Sequence, residues 1–95
     1  MEYRSIDFSA HAIKRMFERQ ISTDAVISVV KHGEVIAEYK DDQPYPSFLL
    51  LGFFTDAPLH VVVGVNPESN DARVITVYAP EHNLWSEDYK TRKKL

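Results

Sequence analysis

Residues 59–65, LHVVVGV, decide the fold. A short run dominated by valine, with a glycine inside it and the turn-forming stretches TDAP (55–58) and NPESND (66–71) on either side, is a strand and not a helix. Three more runs of the same kind lie nearby: SFLLLGFF (47–54) just before it, EVIAEY (34–39) earlier, and ARVITVY (72–78) after it. The remaining separator, KDDQPYP (40–46), again carries aspartate and proline. Four strands in meander order follow. The two middle runs are apolar at nearly every position, as central or doubly covered strands are.

Upstream of Gly33 the period changes to that of helices. In SAHAIKRMFERQIS (9–22), Ser9 can cap a helix whose apolar positions Ala12, Ile13, Met16 and Phe17 share one side. Ser22 is a second N-cap, with Asp24 in the first turn, Lys31 and His32 in the last, and Gly33 placed for a left-handed stop. Ile21 before that cap can pack on Val26 as a hydrophobic staple. The expectation is an α+β fold: an N-terminal helical hairpin over 9–32, packed on a four-stranded, mainly antiparallel sheet, then a short C-terminal segment with a helix starting near Ser86.

Ninety-five residues with 44% apolar and 26% charged side chains form one globular domain, 1–95, near the low end of what one core stabilises alone. With no cysteine there is no disulfide, thiolate metal site or thiol nucleophile, and the cytoplasm is the expected compartment. The opening MEYRSIDFSA lacks a basic region followed by an apolar segment, and PSFLLLGFF is too short to span a bilayer, so no membrane contact is expected. The net charge of −3 disfavours broad non-specific nucleic-acid binding. Its distribution is uneven, however: the last six residues, KTRKKL, hold four cations, which would make one pole basic.

Several polar residues can carry chemistry. His11, Arg15 and Glu18 fall in a narrow sector of the first helix opposite its apolar side, with Arg19 at the edge. They form either a solvated face or a guanidinium pair for phosphate beside a histidine that titrates near neutrality. His60 interrupts an apolar strand. It is either a core histidine satisfied by a partner or a general acid or base at the sheet rim. Antiparallel pairing through NPESND places Leu59 roughly opposite Tyr78 and His60 roughly opposite Val77, so His60 and Tyr78 share one end of the sheet. Arg73 shares the His60 face in that register but lies toward the other end. Trp85, near His82 in the segment after Pro80, either plugs the core or stacks a base. His32 is read as a helix-terminal cation only. The four histidines have no metal-ligand spacing, the glycines at 33, 52 and 64 form no phosphate loop, and no cofactor is expected.

The combination of SAHAIKRMFERQIS, VVKHGEVIAEY, LHVVVGV and VITVYAPEHNLW resembles a small bacterial family of uncharacterised domains. Its layout is similar to that of the RelE, BrnT and MqsR toxins, ribonucleases of toxin-antitoxin pairs, and genes of this type often lie beside zinc-finger antitoxins of the YgiT kind. The resemblance implies a RelE-like fold and a metal-independent RNA endonuclease acting on RNA, ribosome-bound mRNA included, with a zinc-finger antitoxin protein as partner. On that footing His11 and His60 are the acid and base in either order, and Tyr78 is a positioner or alternative proton donor. Arg15 and Arg19 clamp phosphate, with Arg73 and Trp85 as further substrate contacts. Two other readings stand beside it. One is a non-catalytic protein-interaction domain docking through an edge strand or the basic C-terminus; the other is a small-ligand pocket under the sheet lined by SFLLLGFF.

Overall fold

A computed structural model describes residues 3–93. Seven elements run in the order β1 (Ser5–Phe8), α1 (Ala10–Arg19), α2 (Thr23–His32), β2 (Glu34–Tyr39), β3 (Ser47–Phe54), β4 (Ala57–Val65) and β5 (Asp71–Tyr78). The strands form one sheet in the order β1-β5-β4-β3-β2. The meander β2 to β5 is antiparallel as expected, and β1 adds a fifth strand, parallel to β5. The sheet is therefore mixed. β1 is too short for a β-branched run to announce it: Ile6 and Phe8 alternate onto the core, while ion pairs Arg4–Asp71 and Asp7–Arg73 tie its exposed side to β5.

Both helices cover one face of the sheet. Ala12 and Met16 of α1, and Val26, Val29 and Val30 of α2, pack on Leu50, Val61, Val63, Val74 and Val77. α1 is rolled so that Ala12 and Met16, not the whole stripe, face β5. Ile13 and Phe17, expected in the core, are 56% and 86% exposed. Ser9 caps α1 by accepting from the Ala12 N–H, and its hydroxyl donates to the Ile75 carbonyl at 3.0 Å. Ile75 sits at the bulge of β5, skipped between the pairs Val62↔Thr76 and Val63↔Val74, so the cap also satisfies a group the ladder leaves over.

Gly33 ends α2 in extended backbone (φ −70°, ψ 164°), not in the left-handed conformation expected. Its role is space: a Cβ there would lie 2.5 Å from the Val29 carbonyl oxygen and 2.9 Å from that of Leu51. Gly52 likewise lets Val29 sit against β3, since a Cβ there would meet a Val29 methyl at 2.7 Å.

One end of the second face of the sheet, around His60, is covered by the C-terminal arm, residues 79–93. The arm contains no helix near Ser86. It folds back on itself through the isolated bridge Trp85↔Arg92 and turns around Ser86–Thr91 hydrogen bonds, and Lys90 pairs with Glu34 of β2. Three of the cations of KTRKKL, Lys90, Arg92 and Lys93, belong to this arm; the final two residues of that run lie outside the described ones.

Candidate functional site

The register of β4 on β5 places His60 directly opposite Tyr78, one residue from the expected pairing. Because alternate residues face opposite ways, this slip decides the environment of the histidine. Leu59, Val61 and Val63 face the helices, and His60 points to the other face, under the arm. There it is 0% exposed, with the Trp85 indole edge-on at 4.4 Å between ring centres and the Tyr78 ring at 5.2 Å.

The hydrogen bonds assign its tautomer. Nε2 lies 2.7 Å from the Tyr89 carbonyl oxygen, which only accepts, so Nε2 carries the proton. Nδ1 then accepts from the Tyr78 hydroxyl at 3.1 Å. Burial lowers the His60 pKa below the ordinary histidine value, against the opposing pull of the Tyr89 carbonyl, so the ring is neutral at pH 7. Burial raises the Tyr78 phenol, with a smaller push from the Tyr39 phenol, while the Arg92 guanidinium pulls it down. His60 is thus a satisfied core histidine that also holds a half-buried phenol.

Tyr78 opens on its outer side into a cleft of about 550 Å³. Arg19 and Ile21 come from the end of α1 and the loop after it, Tyr78 and Ala79 from the end of β5, and Glu81, Leu84, Trp85 and Arg92 from the arm. The Arg19 guanidinium is steadied by donating to the Val77 carbonyl at 2.7 Å. Two guanidiniums and a phenol therefore line one cleft, an arrangement suited to an oxyanion with more than one acceptor oxygen. Trp85 is only 9% exposed, so its indole is mainly a wall packed on His60.

The structure brings together His60, Tyr78, Arg19 and Trp85 and leaves the other sequence candidates apart from them. His11 is exposed on α1, in the helix layer, with the sheet between it and His60. Arg15 is half exposed and pairs with Glu18 at 2.9 Å. Arg73, opposite Gly64, shares the His60 face but lines a separate hollow at the far end of the sheet with Asp7, its ion-pair partner at 3.0 Å. His82 lies beside the Tyr89 ring. Arg92, Glu81 and Tyr89 were not singled out from the sequence. The only signal for Arg92 was the cationic C-terminus, which gave no position. Among the described residues no group of three or more histidine, aspartate or glutamate side chains is arranged to hold a metal ion, and no helix is long and apolar enough to cross a membrane.

Comparison with curated proteins and with solved structures gives no significant match. One family does match, over residues 8–79. That span takes in both helices, the four antiparallel strands, and Arg19, His60 and Tyr78, but stops before the arm that supplies Trp85 and Arg92. The chain belongs to the family described as Domain of unknown function (DUF4258).

Proposed function

We propose that this chain is a toxin-like, RelE-like RNA endonuclease that works without a metal ion, with the cleft at the end of β5 as its active site. The observation that carries this reading is the convergence of Arg19, Arg92 and Tyr78 on one cleft, with the Tyr78 hydroxyl hydrogen-bonded to a fully buried, neutral His60. Cleavage of RNA needs a base for the 2'-hydroxyl and cations for the charge that builds on phosphorus. Tyr78 meets the first need through His60. The 2'-oxygen attacks phosphorus as its proton passes to Tyr78 Oη and the Tyr78 proton passes to His60 Nδ1. The bond from phosphorus to the 5'-oxygen breaks, that oxygen takes a proton from water, and the products are a 2',3'-cyclic phosphate and a 5'-hydroxyl. The proton on His60 then returns through Tyr78 to the hydroxide left by the water.

Arg19 and Arg92 neutralise the phosphoryl oxygens. His60 is a positioning and proton-holding residue, because no substrate atom reaches a fully buried ring. His11 and Arg15 precede Arg19 at four-residue steps on the same flank of α1, about 6 Å apart along the axis, and serve as contacts to phosphates further along the strand. The test uses purified chain, a labelled RNA in EDTA, and the same RNA as ribosome-bound mRNA. Cyclic phosphate ends from either substrate, lost in Tyr78→Phe, are the expected result; intact RNA in both is the opposite one.

A second reading, a non-catalytic protein-interaction domain, is favoured by Phe17 and Ile13, which stand exposed one turn apart on α1. In the ribonuclease reading the same patch is where a zinc-finger antitoxin protein would dock. The two separate in the RNA assay, which only the first predicts to be positive.

A further inference from the structure

Beside the cleft lies a second hollow of about 340 Å³, on the other side of Ile21 and Ala79, which line both. Its walls include the apolar side chains of Ile21, Phe54 and Leu59, and Gln20 stands among its polar lining groups. The β3–β4 turn borders it through Thr55, which takes positive φ, so the hollow is an open one. An apolar slot next to a two-guanidinium cleft matches the layout of a nucleotide, which joins a flat aromatic base to an anion.

Gln20 is the residue that marks the slot. It is the C-cap of α1 in the left-handed conformation, φ 56° and ψ 42°, a position where glycine is the unstrained choice and glutamine carries a backbone penalty. Its N–H closes the helix on the Met16 and Phe17 carbonyls, a task any non-proline residue performs. Its side chain is exposed and borders the hollow, free to meet a ligand there. A carboxamide offers one donor and one acceptor side by side. Adenine presents the complementary acceptor and donor at N7 and N6, whereas the same edge of guanine presents two acceptors.

We infer that this hollow is a base-recognition pocket for an adenine of the RNA substrate, read by the Gln20 amide, an inference that rests on the ribonuclease reading of the neighbouring cleft. The glutamine keeps a strained cap because its side chain binds.

The test follows backbone amide NMR signals of the full chain during titration with 3'-AMP, 3'-GMP and inorganic phosphate, for the wild type and Gln20→Gly. The expected result has three parts. Phosphate moves cleft signals only; 3'-AMP also moves Ser22, Ala25 and Leu59 and binds about tenfold tighter than 3'-GMP; and Gln20→Gly removes that preference while its Tm equals or exceeds the wild-type value. If both nucleotides move the cleft alone and with equal affinity, the base pocket is wrong and the anion cleft stands. If Gln20→Gly keeps the adenine preference, the hollow binds but Gln20 is not its reader, which overturns the assignment. If neither phosphate nor nucleotide moves any cleft signal, the ribonuclease reading fails and the pocket fails with it.

Discussion

Two residues, His60 and Tyr78, carry the proposed chemistry. Replacing Tyr78 with phenylalanine removes one oxygen and leaves the ring that packs on His60, so RNA cleavage should fall by about 10²-fold or more with the fold intact. Comparing cleavage rate with Tm in the same preparation checks this. His60 also gives the protein a pH signature. Its pKa in the folded chain is lowered, so below the ordinary value of 6.5 the unfolded chain binds a proton that the folded chain does not. Stability is therefore full above that pH and is lost progressively as pH falls toward the folded value. Tm measured downward from pH 7.5 should decline below pH 6.5, and His60→Gln should flatten that decline; an unchanged slope would mean that other groups cause it. The sequence made His60 conspicuous, since a polar ring in an otherwise apolar run needs an explanation. Its face was not legible: pairing through the six-residue NPESND stretch is free to slip, and one residue of slip exchanges core and arm.

At the scale of elements, the β-branched runs located β2 to β5 almost to the residue, and the serine caps located both helices. What was hidden depended on tertiary contact. The apolar stripe of α1 looked like a four-residue core face, yet the small Ala12 settles closest to β5 and rolls Ile13 and Phe17 outward. β1 is not legible in the sequence because four residues, alternately exposed and half-buried, acquire strand character only from β5 beside them. Two substitutions test the element contacts. Gly33→Ala should destabilise by about 1–3 kcal/mol, since the added methyl meets backbone oxygens that move only if α2 lifts from β3. Ser9→Ala should cost about 1–2 kcal/mol, because the hydroxyl both caps α1 and satisfies the Ile75 carbonyl. Denaturant midpoints at constant m-value check both, and a neutral Gly33→Ala would refute the close approach.

At the scale of the whole molecule, an acidic chain is proposed to hold RNA by gathering cations at one end of its sheet. Arg19 arrives there from a helix and Arg92 from the arm, 73 positions apart in sequence. The first was legible as a member of the α1 polar face. The second was not, because the arm has no periodicity and takes its shape from Trp85 and Tyr89 packing around His60. If Arg92 neutralises a phosphate, Arg92→Ala should weaken RNA binding and reduce the slope of log affinity against log salt by about 0.7. An unchanged slope would remove Arg92 from the interface. The proposed ribonuclease activity is tested first by induction of the wild-type chain and of Tyr78→Phe in bacteria at equal levels of folded protein, with growth and total RNA followed together. The expected result is arrest and RNA loss with the wild type and neither with Tyr78→Phe. Normal growth and intact RNA from abundant folded wild-type protein would contradict it.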